Sequence, residues 1–238
     1  MFPIRDDVPS RSFPSVTVAL IITNFVIFLW EAALDRFALV YLIRTFGFVP
    51  YKITAYLTGY DLPGFSSFLP ILSSIFLHGS WMHVISNMWY LWIFGDNVED
   101  RLGHTKFFFF FLACGVLANL AHYVFNALSQ VPTIGASGAV AGVMGAYLIS
   151  YPRARITMLV PIFLFIQFVE LPATLMIGIW FILQLLQGIG SLVAASVTGG
   201  VAWWAHAGGF IAGMLFLKLF RPRPRVYYRI MTDYFDID

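Results

Sequence analysis

The chain reads as an all-α membrane protein: a bundle of six transmembrane helices with a long, membrane-associated first loop. Three observations predict this. The 238 residues are 60% hydrophobic and only 11% charged, whereas a soluble domain carries roughly 25% charged residues. Apolar stretches recur at close to the length a span needs, about 20 residues. No polar segment is long enough to form a second domain beside them.

The first span is expected near residues 14–34. The stretch before it carries Arg5, Asp6, Asp7 and Arg11, and Glu31-Ala32-Ala33-Leu34 makes a poor cleavage site, so the sequence points to an uncleaved first span. Later spans are expected near 81–97, 107–128, 137–151, 171–187 and 201–220. The first loop, 35–80, is unusually apolar. Within it 39–43 and 68–72 read as short helices lying in the membrane interface, with turn residues Gly59 to Gly64 between them.

The apolar stretch 156–169 is only 14 residues long and contains Pro161, which favours a re-entrant or interfacial segment over a span. Parity supports that choice. With a single crossing between them, Ser137 at the head of the fourth span and His206 early in the sixth lie at similar depth on one side. With the N-terminus inside, eleven of the 14 Lys and Arg fall in inner segments and three in outer loops. The positive-inside rule then places both termini in the cytoplasm of a cell-membrane protein. The domain reading is a cytoplasmic segment 1–13, a six-helix unit 14–220 and a short basic tail 221–238.

The net charge of +2, without a basic stripe, gives no footing for nucleic acid. The single cysteine, Cys114, lies in an apolar run and reads as a packing residue. No H-E-x-x-H is present and no inward carboxylate completes a site, so neither metal nor cofactor is expected.

Several polar residues sit where hydrocarbon should be, and such groups usually face the bundle interior and act there. Ser137 lies in Gly135-Ala136-Ser137-Gly138 at a loop-to-helix junction, where backbone N–H groups face free space and can meet developing negative charge. A helix-capping serine would need the same position. His206 is the only histidine of the C-terminal half. The small-residue pairs Gly138/Gly142 and Gly209/Gly213 would let the fourth and sixth spans approach closely and bring His206 to Ser137. With no aspartate nearby, a Ser-His dyad is expected, its histidine held by packing and local hydrogen bonds.

His83 and Asn87, four apart on one helical face, read either as oxyanion donors alongside the Ser137 N–H or as an interhelical polar clamp. His78 reads as a loop brace, His104 as a loop residue and His122 as a packing residue.

With these motifs in this order, the chain resembles the rhomboid family of intramembrane serine proteases. The resemblance covers roughly 14–220. It rests on His78, His83 and Asn87 leading into the second span, on Gly135-Ala136-Ser137-Gly138, and on Ala205-His206 followed by Gly209 and Gly213. The second-span exit from Phe94 to Gly103 also matches. It implies cleavage of single-pass membrane proteins in or beside their transmembrane helix. Ser137 would be the nucleophile, His206 the base, and His83 and Asn87 oxyanion donors. The implied partners are transmembrane substrates and the lipid bilayer. A non-cleaving escort of membrane clients is the alternative. At the position where some members place a tyrosine against the histidine, this chain has Ala141.

Overall fold

A computed structural model describes residues 2–60, 67–162, 165–193, 201–220 and 222. The six stretches marked in the sequence are helical. They correspond to α1 (Ser15–Ala33), α5 (Trp81–Leu102), α6 (His104–Asn126), α7 (Ser137–Ser150), α8 (Ala173–Val193) and α9 (Trp203–Leu219). The first loop contributes α2 (Arg36–Phe46), α3 (Pro50–Leu57) and the single turn α4 (Pro70–Ser73). Among the described residues, α1, α6 and Ala173–Ser191 of α8 are long and apolar enough to cross a membrane. Helix α5 has the length, but its last turns carry Asp96, Glu99, Asp100 and Arg101.

Helix boundaries follow local chemistry. Asp35 caps α2 by accepting from Phe37 N (2.8 Å) and Ala38 N (2.9 Å). Ser80 caps α5 by accepting from His83 N at 3.2 Å. Helix α1 is capped from a distance, since buried Glu99 accepts from Val16 N (2.9 Å) and Thr17 N (2.8 Å). Asp100 likewise accepts from Ser12 N at 3.2 Å. The carboxylates in the last turns of α5 therefore fasten the start of the chain.

The sheet departs from the all-α expectation. Strand β1 (Phe2–Asp6) pairs antiparallel with β2 (Arg155–Ile162), which pairs with β3 (Phe165–Pro172). The stretch read as re-entrant or interfacial is thus the body of a β-hairpin. Its β-branched and aromatic residues suit strands. Pro161 lies opposite Ile166, one pair from the end of the ladder, where a missing N–H costs little. What completes the sheet is β1, some 150 residues away in sequence. The hairpin follows the C-terminus of α7 and so lies at the end opposite Ser137, called here the far end.

The core is centred on α5, α6, α7 and α9, with Phe94, Phe107, Phe110, Phe111 and Tyr147 fully buried. Helices α6, α7 and α9 meet through small residues. A methyl group on Gly209 would run into the Gly138 carbonyl, and one on Gly213 into that of Gly142. A methyl on Gly142 would come within 2.5 Å of Cys114 Cβ. Cys114 is buried there, as a packing residue. Backbone-to-backbone contact of this kind is how helices associate where lipid removes the hydrophobic drive.

The basic tail and the latter part of the first-loop turn fall on residues 221, 223–238 and 61–66, outside the described residues. Residues 194–200 lie outside them too.

Candidate active site

Ser137 is the first residue of α7 and Ala136 its N-cap, so the serine is not the capping residue. Ser137 Oγ lies 2.8 Å from His206 Nε2, within hydrogen-bond reach. The approach depends on the glycine contacts, since His206 sits one turn before Gly209 on α9 and Ser137 adjoins Gly138 on α7.

The loop entering Ser137 is tied down on both sides. Phe48 and Thr133 exchange backbone hydrogen bonds of 3.0 and 2.7 Å, joining the first loop to this segment. Gly135 N donates to Ser74 O at 2.9 Å. Gly135 has φ of 124°, a region that L side chains rarely adopt, and a Cβ there would stand 2.6 Å from His83 Nε2. Only glycine lets the His83 ring lie against this loop.

His83, Asn87, Ser137 and His206 border one cavity of about 780 Å³, together with His122 and Asn126 of α6. Serine, histidine and asparagine side chains alternate on its wall with apolar ones such as Val131, Ile134 and Trp204. Asn87 Nδ2 lies 3.0 Å from His78 Nε2, which also accepts from Ala136 N at 3.5 Å. An amide nitrogen carries two hydrogens, so Asn87 can serve this clamp and still offer one to the cavity. The clamp that Asn87 makes is with the loop entering its own helix, not with a second helix. His78 is buried, and its backbone N donates to Glu31 Oε2 of α1 at 3.1 Å.

Three features escaped the sequence reading. Gln184 of α8 places Oε1 2.7 Å from His206 Nδ1. Trp180, one turn earlier on α8, lies over the same ring with centroids 6.1 Å apart and planes at 29°. Trp203 meets the ring edge-on at 6.2 Å. These groups hold the imidazole where Ala141 offers no aromatic surface. Two glutamines in an apolar span, Gln184 and Gln187, were the available signal, and Gln184 is the buried one. His122, read as packing, borders the cavity instead. His104 opens α6 and contacts Glu99 at the far end.

Fold and site together define a multi-helix membrane protein with a serine and a histidine in contact beside a cavity at one end of the bundle. A family model described as Rhomboid domain matches residues 66–223, two thirds of the chain, and the chain belongs to that family. It is similar to the mouse (Mus musculus) Presenilin-associated rhomboid-like protein, mitochondrial, at 26% identity over 69% of this chain and 43% of the relative. The zebrafish (Danio rerio) Presenilin-associated rhomboid-like protein A, mitochondrial, is 29% identical over 63% of this chain and 37% of the relative. Rhomboid protein 1, mitochondrial, of Saccharomyces cerevisiae is 27% identical over 63% and 41%. The chain therefore spans less than half the length of these relatives. Their mitochondrial names overturn the expectation of a cell-membrane protein with cytoplasmic termini. The charge count behind it reports only which ends share a side, not which membrane is crossed.

Proposed function

We propose that the chain is an intramembrane serine endopeptidase that cleaves transmembrane segments of membrane proteins with a Ser137–His206 dyad. The observation that carries the reading is the 2.8 Å contact between Ser137 Oγ and His206 Nε2 on the wall of that cavity. A binding or escort protein has no need of that contact. The location supported by the named relatives is a mitochondrial membrane.

In this mechanism a substrate helix enters from the lipid and unwinds to present a carbonyl at Ser137. As Oγ attacks, its proton passes to His206 Nε2. The tetrahedral oxyanion is met by the Ser137 N–H at the start of α7, by His83 and by the free amide hydrogen of Asn87. His206 returns the proton to the leaving amine, giving an ester on Ser137. Water from the cavity, deprotonated by His206, then attacks the ester and restores the hydroxyl. The glycine contacts hold base and nucleophile in register before substrate arrives.

The test is a cleavage assay in liposomes against a panel of single-pass transmembrane segments, with Ser137→Ala as control. Cleavage by the wild type and none by the variant supports the reading. A wild type that binds segments but never cuts them supports the escort function instead.

A further inference from the structure

We infer that Gln184 is a positioning residue for His206, holding the imidazole in the tautomer whose Nε2 is free to take the Ser137 proton. The inference rests on the peptidase reading above and adds to it a third side chain, from a different helix.

Gln184 is 7% exposed on a helix whose neighbouring Ile182, Leu183 and Leu186 are about half exposed. The inward stripe of α8 runs at one-turn steps. Trp180 lies over His206, Gln184 reaches Nδ1 of the same ring, and a Cβ on Gly188 would sit 3.2 Å from the Trp204 indole. Phe181 adds a stacked contact with Phe210 at 4.4 Å. This stripe fixes the rotation of α8 and aims the amide at the imidazole.

The chemistry follows from what each atom can do. A glutamine Oε1 only accepts, so the hydrogen of this 2.7 Å contact belongs to Nδ1. A neutral imidazole carries one ring proton. With that proton on Nδ1, Nε2 presents a lone pair to Ser137 Oγ. In the opposite tautomer Nε2 carries the hydrogen and cannot act as base. Once His206 is protonated, the Nδ1–H···O bond becomes charge-assisted and strengthens as the reaction proceeds. A neutral amide does this without a second buried charge, which a lipid-washed helix would hold only at high cost.

Three enzymes test the inference in liposomes: wild type, Gln184→Met and Gln184→Glu. The readouts are cleavage kinetics, the rate of Ser137 labelling by a fluorophosphonate, and thermal unfolding. The methionine variant fills the same space without an acceptor. It should lose about 10- to 100-fold in kcat and in labelling rate, the scale of one hydrogen bond to a charged group, while KM and unfolding stay near wild type. Glutamate restores the acceptor and should recover most of the rate per folded molecule, while its buried charge lowers the unfolding temperature. A purely structural role would move unfolding and leave labelling per folded molecule unchanged. Wild-type kcat in a folded Gln184→Met enzyme would overturn the inference. So would a folded Gln184→Glu enzyme as slow as Gln184→Met. If the methionine variant does not fold, Gln184→Ala takes its place. A wild type that neither cleaves nor labels removes the peptidase reading itself, whereas an active wild type with an equally active Gln184→Met removes only the role of Gln184.

Discussion

The two ends of α7 solve opposite problems. At the Ser137 end the groups facing the cavity are a hydroxyl, imidazoles and amides, and the helices are held by glycine backbones in contact. At the far end the polar groups are carboxylates fastened to backbone and side-chain donors. Glu99 and Asp100 cap the chain entering α1. Asp6 of β1 accepts from the Tyr147 hydroxyl of α7 and from Asn97 Nδ2 of α5. The contrast shows that charge is kept for fastening the bundle. At the Ser137 end no carboxylate among the described residues lines the cavity, and Glu31 of α1 instead fastens the His78 backbone behind its wall.

The largest expected effects lie at the Ser137 end. Gly209→Leu should push α9 off α7 and reduce cleavage by at least about 10²-fold, because a displacement on the order of 1 Å between reacting groups has that cost. Gly178→Leu on α8 is the matched control. Nothing lies within 4 Å of a Cβ there, so activity should survive. An active Gly209→Leu enzyme would break the claim that backbone contact sets the site. His83→Ala should lower kcat by about 10²- to 10³-fold, the usual cost of one oxyanion donor, with folding intact.

At the far end the balance should reverse. Glu99→Gln removes a buried acceptor charge that serves Val16 N, Thr17 N and the Thr17 hydroxyl. It should cost about 1–3 kcal/mol of stability while cleavage per folded molecule stays unchanged. A selective loss of kcat would show that the ends are not separable.

A further effect at the far end concerns pH. Burial first, then repulsion from Asp96 and Asp7 against the opposing Tyr147 hydrogen bond, pushes the Asp6 carboxyl up from 3.8 to about 7. The folded state therefore prefers protonated Asp6. That stabilisation is complete below the unfolded value near 3.8 and is lost as pH rises through about 7. The melting temperature should fall between pH 5 and pH 8, and Asp6→Asn should flatten the dependence. An equally steep fall in the variant would assign it to other groups.

The residues at the Ser137 end were legible because lipid makes polar side chains and small-residue pairs stand out. Ser137, His206, His83, Asn87 and the glycines Gly138, Gly142, Gly209 and Gly213 could be picked out without coordinates, whereas Gly135, expected with them as helix-packing support, lies in the loop and makes room for the His83 ring. The far end was not legible. The apolar stretch 156–169 carries no alternation to mark a hairpin, and its pairing with residues 2–6 is a long-range event that no local window contains. Gln184 failed for another reason. An uncharged amide in an apolar span carries no charge to mark it, whereas a carboxylate there would have stood out.

Fluorophosphonate labelling of the reconstituted protein, read by mass spectrometry, tests the Ser137–His206 contact most directly. The wild type should carry one adduct on Ser137, Ser137→Ala none, and His206→Ala should label at least about 10²-fold more slowly for want of its general base. Labelling of His206→Ala at the wild-type rate, or an adduct on another residue, would contradict the account.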